Sequence, residues 1–148
     1  MKQECVFTVT VNYDLTLEEM IATGRYDWKN GDITADHFLV RGGGQAEIEI
    51  IIVHFGRDMR TEDVLREIDA RGFCAATLPE LLALGVAKPE LQRLFPIVAL
   101  GSVWRSPCHS LHVACLDSGN AKRGLRLRWY ENDWFDNYRF AVVRKTTS

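Results

Sequence analysis

At 148 residues, with 47% hydrophobic and 26% charged residues and no low-complexity tract, the chain has the composition of one packed domain, which excludes a disordered or fibrous protein. A formal net charge of −2 excludes a surface built as a whole to neutralise a phosphate backbone. The apolar run "IEIIIVHF" is far too short to span a bilayer, and "MKQECVFTVTVNYD" lacks the apolar stretch of a signal peptide, so a cytosolic protein is expected.

In chain order, "VFTVTV" at 6–11 alternates and is rich in β-branched residues, which predicts a half-buried strand. "TLEE" at 16–19 has the spacing of a capping box, in which Thr16 and Glu19 each bond the other's backbone N–H; the helix it opens should run to Thr23 and stop at Gly24. Asn30-Gly31 predicts a turn, and Gly42 to Gly44 a flexible connection before the strand "AEIEIIIVHF". Thr61, followed by Glu62 and Asp63, predicts a helix N-terminus, with Val64, Leu65 and Ile68 as its apolar stripe and Gly72 as its end. "TLPE" at 77–80 predicts a second capping box, and Pro89 a short helical turn through Leu94. After Pro96 the texture becomes β, with "IVALGSVW", "LHVACL", "LRLRW" and "RFAVVRK" as strands. The result is a single α+β domain with a β-rich C-terminal half.

Four sparse cysteines, Cys5, Cys74, Cys108 and Cys115, predict reduced thiols. A zinc reading of "CHSLHVAC" at 108–115 needs four ligands to converge at about 2.0–2.3 Å, but a strand turns Cys108 and His112 away from His109 and Cys115. Cys74 precedes a helix N-terminus, where a thiolate is favoured; with His37 and His54 remote in sequence, a packed thiol is expected there. No nucleophile stands beside a base, so no enzyme, cofactor or metal is expected.

The segment "ATLPELLALG", then "FPIVALGSVW", a Trp-rich turn and the closing "RFAVVRK" resemble the C-type lectin fold in its disulfide-free prokaryotic form. More narrowly, they are similar to the variable proteins of diversity-generating retroelements of archaea and small-genome bacteria. The similarity runs from Glu47 to Lys145, leaving residues 1–46 as an N-terminal elaboration. It implies a C-type lectin-like core: a mixed, mostly antiparallel sheet with two helices, displaying a surface patch that is rewritten by error-prone copying at adenines. Template codons AAC and AAT randomised at their adenines yield Asn, Asp, Tyr, Ser, Phe, Cys, His and Arg among others, but not Glu, Lys, Gln, Met or Trp.

The stretch "LRLRWYENDWFDNYRF" at 125–140 interleaves two such classes. Leu125, Leu127, Trp129, Trp134 and Phe140 are expected to hold the fold. Arg126, Arg128, Tyr130, Asn132, Asp133, Phe135, Asp136, Asn137 and Tyr138 fit the variable set, and Cys115 and Asp117 on the preceding strand could join them; Glu131 does not fit. Tyr and Phe supply contact area at low entropy cost and Asn and Asp adapt their hydrogen bonds, as in antibody paratopes. The expected partner is a ligand of unspecified identity, most simply a protein. "ENDW" lacks the Trp-Asn-Asp order of calcium-binding lectins, and their Glu-Pro-Asn triplet is absent, which disfavours calcium-dependent sugar binding. Single-stranded nucleic acid is the other alternative, since Arg126, Arg128, Tyr130, Phe135 and Tyr138 interleave cations with stacking rings. Glu131, Asp133 and Asp136 in the same patch argue against it.

Overall fold

The computed structural model describes residues 5–145. Its elements are β1 (Cys5–Asn12), α1 (Leu17–Thr23), β2 (Trp28–Lys29), β3 (Gln45–Val53), β4 (Met59–Arg60), α2 (Thr61–Ala70), β5 (Phe73–Ala75), α3 (Leu78–Ala87), a 3-10 turn (Leu91–Arg93), β6 (Ile97–Arg105), β7 (Leu111–Gly119), β8 (Lys122–Trp129), β9 (Asp133–Trp134) and β10 (Arg139–Arg144). One sheet carries the order β1-β3-β10-β6-β7-β8-β2, with β5 added to β10; β4 and β9 form a separate small ladder. Pairing is antiparallel except for β10 with β6 and β2 with β8. The fold is therefore α+β with a mixed sheet. Three α-helices are described rather than the two expected of a lectin-like core; α1, from the N-terminal 46 residues, packs against α3.

The continuous apolar run of β3 follows from burial on both sides. Ile50 and Ile52 enter a core shared with α1 and α3, while Ile51 and Val53 enter a second core shared with α2. β7 divides in the same way: Ala114 and Leu116 face the first core, Val113 and Cys115 the second. Residues 5–46 are built into this architecture. β1 runs alongside β3 from Cys5↔Ile52 to Asn12↔Gln45, and Val9, Val11, Leu17, Met20, Ile21, Ile33 and Phe38 are buried in the first core.

The helix ends show which local signals governed. At α1 both bonds of the capping box form: Glu19 N–H donates to Thr16 Oγ1 at 3.1 Å, and Thr16 N–H to Glu19 Oε1 at 2.8 Å. At α3 the Thr77 N–H donates to Glu80 Oε1 at 2.7 Å, and Ser102 Oγ on β6 accepts the Leu78 N–H at 2.8 Å. At α2 Thr61 is the first helical residue, not the cap; Arg60 takes the cap position without a side-chain bond, and the Thr61 hydroxyl is used in tertiary structure. Gly72 ends this helix with φ +83, a conformation that favours glycine.

β6 departs from regular pairing between Ala99 and Val103. Within that irregularity Gly101 N–H donates to Ala76 O at 2.8 Å, and a Cβ on Gly101 would lie 2.5 Å from the same oxygen. The bulge brings the strand against the joint between β5 and α3 and re-aims its outer half, where Trp104 packs on the first-core side.

Candidate ligand-binding face

The candidate residues lie on the side of the sheet that carries the second core. α2 covers part of it, and the connection from β8 to β10, residues 130–138, crosses back over it. What ties the crossing down is Trp134, which is fully buried. Its ring meets Phe140 at 5.8 Å and Tyr138 at 5.1 Å, both edge-on, and its Nε1–H donates to Thr61 Oγ1 at 2.8 Å. The Thr61 hydroxyl in turn donates to the Tyr130 carbonyl. A single buried threonine at the start of α2 thus fastens the crossing at two points. Met59↔Trp134 and Arg60↔Asp133 pairing holds a third.

Around this anchor the expected contact residues fall into three groups. Asp133, Phe135, Asp136 and Asn137 are exposed, Phe135 to 60%. Asp133 lies 3.7 Å from Arg60, and the Asp136 carbonyl is 2.7 Å from His54 Nε2. Tyr130, Asn132 and Tyr138 are half-buried, the two tyrosines packing on the second core. Burial raises the Tyr138 phenol pKa above its ordinary value, with Arg128 partly offsetting it. Asp117, Arg126 and Arg128 form a third group: one Asp117 oxygen is 2.8 Å from Arg126 Nε and the other 3.2 Å from Arg128 Nη2. Asp117 thereby pairs with both cations across the hairpin, and Arg126 also lies 4.6 Å above the Trp28 ring.

These groups border two clefts. One, of about 550 Å³, is lined by Arg60, Glu62, Tyr130, Glu131, Asn132 and Asp133. The other, of about 280 Å³, lies between Leu94–Pro96 and Asp117, Arg128, Asn137 and Tyr138. Both are open; the first is mixed in polarity and the second mostly polar.

Three expectations are corrected. Cys115 is fully buried in the second core, and burial pushes its thiol up to about 12, so it is packing and not contact. Trp129, expected as scaffold, is 68% exposed, because it ends β8, where cover falls away from buried Leu125 through half-buried Leu127. Cys74, expected to be packed, is exposed on β5. Arg123, in β8, is also buried. In the 108–115 segment, His112 packs toward Trp104 while Cys115 enters the opposite core. Among the described residues no three His, Cys, Asp or Glu side chains gather as metal ligands, and no helix is long and apolar enough to cross a membrane.

Comparison of the chain with protein-family models, curated protein sequences and solved structures finds no match.

Proposed function

We propose that this protein is a binding protein with a C-type lectin-like fold, of the kind diversified by retroelements, and that the 130–138 crossing with the adjoining ends of β7 and β8 displays a variable patch to a protein ligand. The observation that supports this most is the separation of roles along 133–140. Trp134 and Phe140 are buried, whereas Asp133, Phe135, Asp136 and Asn137, between and beside them, face solvent. A surface with this construction accepts new side chains without disturbing what holds it. Phe135 is the exposed aromatic anchor, Tyr130 and Tyr138 are half-buried supports, and Arg126, Arg128, Asn132, Asp133, Asp136 and Asn137 supply adaptable polar contacts.

A display library tests this reading. Asn132, Asp133, Phe135, Asp136 and Asn137 are randomised together, Trp134 and Phe140 are randomised separately, and folded clones are counted by protease resistance. The first library should remain largely folded and yield binders against unrelated protein baits. A first library as intolerant as the second would show that the patch is structural, and the proposal would fall.

A further inference from the structure

On the opposite side of β8 from Arg126 and Arg128, cross-strand pairing Trp104↔His112 and His112↔Trp129 sets three rings in one row over the outer ends of β6, β7 and β8. His112 lies 5.3 Å from Trp104, and His37, from the loop after β2, stacks on Trp104 at 4.0 Å with 12° between planes. The outer ring, Trp129, has no such cover and is 68% exposed. The rings and the 30–37 loop enclose a groove of about 540 Å³.

The rim of this groove is polar and lacks cations. Asn30 Oδ1 accepts the Asp32 N–H at 2.8 Å, which leaves its amide N–H groups to donate outward. His37 Nδ1 is 2.7 Å from the Asp32 carbonyl; a carbonyl only accepts, which assigns the proton to Nδ1 and leaves Nε2 as an acceptor in the neutral ring. The exposed Asp32 carboxylate has no hydrogen bond or ion pair among the described residues. Neither Lys nor Arg lines the groove.

We propose that this groove binds a neutral carbohydrate, with one pyranose ring stacked on Trp129 and its hydroxyls bonded to Asp32 and Asn30. A sugar ring presents C–H groups on its face and hydroxyls on its rim, matching a flat indole flanked by an acceptor and a donor. A proline-rich peptide covering Trp129 would strip water from Asp32 without offering an N–H in return. A nucleic acid would meet the same carboxylate with no cation beside it. The groove lies on the opposite side of β8 from Arg126 and Arg128 and shares no lining residue with the two clefts at the 130–138 crossing.

The test titrates the full chain with cellohexaose, maltohexaose and the hexamer of N-acetylglucosamine, reading tryptophan emission and indole N–H resonances, with decaproline and oligothymidine in parallel. One of the oligosaccharides should saturate and shift the Trp129 indole signal. Trp129→Ala should weaken it about tenfold. Asp32→Asn should weaken it by a smaller factor, and Phe135→Ala, on the other face, should leave it unchanged. Absence of saturation with every oligosaccharide, equal affinity in Trp129→Ala, or a Trp129 shift driven by decaproline or oligothymidine instead would overturn the assignment.

Discussion

Replacing Arg123 with methionine removes a cation that joins the ends of two helices inside the protein. The residue is 5% exposed, and its guanidinium reaches five acceptors. Nη1 donates to Gly24 O at 2.6 Å and to Arg25 O at 3.4 Å, at the end of α1. Nη2 donates to Gly85 O in α3 at 3.0 Å and to Gln92 Oε1 at 3.0 Å, and Nε donates to Pro89 O at 2.8 Å. No acceptor is a carboxylate. The carbonyls near the negative ends of two helix dipoles, with the Tyr26 ring 4.8 Å away, compensate the charge. Exchanging a whole buried ion pair for apolar residues can be nearly neutral, but here the partners, four backbone carbonyls and the Gln92 side-chain carbonyl, remain after the substitution. Stranding several carbonyls at about 1–3 kcal/mol each, less what water recovers, gives a loss of about 3–5 kcal/mol. That is a large share of the roughly 5–15 kcal/mol that holds a domain together. With a urea slope of about 2 kcal/mol per molar, the denaturation midpoint should fall by about 2 M. Arg123→Lys should fall between the two, since one ammonium cannot span the same acceptors. A midpoint loss below about 0.5 M for Arg123→Met would refute the reasoning.

Other perturbations test separate parts of the fold. Thr61→Val strands the Trp134 indole N–H and the Tyr130 carbonyl; it should cost about 1–3 kcal/mol in chemical denaturation, and an unchanged midpoint would mean the crossing is not fastened there. Gly101→Ala sets a Cβ 2.5 Å from Ala76 O, a backbone atom that cannot swing aside, so Tm should drop by several degrees, about 1–3 kcal/mol of overpacking. At pH 8 a thiol reagent should label Cys5, Cys74 and Cys108 in the folded protein and Cys115 only on unfolding; rapid labelling of all four would contradict the burial of Cys115. The Cys115 thiol and Tyr26 phenol, each pushed up to about 12 chiefly by burial, favour the folded state only while protonated. Because the unfolded thiol and phenol ionise near 9 and 10, their contribution to stability should be flat below pH 9 and decline from there toward 12. Cys115→Ala should make that decline shallower, and an unaltered slope would argue against it.

The strands were legible because their signals were local. "VFTVTV" and "RFAVVRK" became β1 and β10, and the capping-box residues at 16–19 and 77–80 stand at the starts of α1 and α3. Failures arose where the outcome depended on what covers a residue. Alternation correctly set Leu125, Leu127 and Trp129 on one face of β8, yet it carries no information about how far along the strand that face stays covered; Leu125 is buried and Trp129 is not. Alternation likewise separates Cys115 from its neighbours on β7 without saying that Trp134 and α2 close over that side. The burial of Arg123 was not legible, since its acceptors come from Gly24, Arg25, Gly85, Pro89 and Gln92, remote in sequence. Thr61 has the residue type of a cap, but the cap position fell to Arg60, because the hydroxyl is engaged with Trp134, far along the chain.

The most direct test of a diversified patch is the DNA around the gene, read across many cells of the source population. We predict a nearby near-copy of the segment encoding residues 115–145, differing from the gene almost only where the copy carries adenine. The differences should fall on codons for exposed positions such as Asp133, Phe135, Asp136 and Asn137, and spare Cys115, Trp134 and Phe140. No such copy, together with identical patch residues in every cell, would contradict diversification and leave a binding face of fixed sequence.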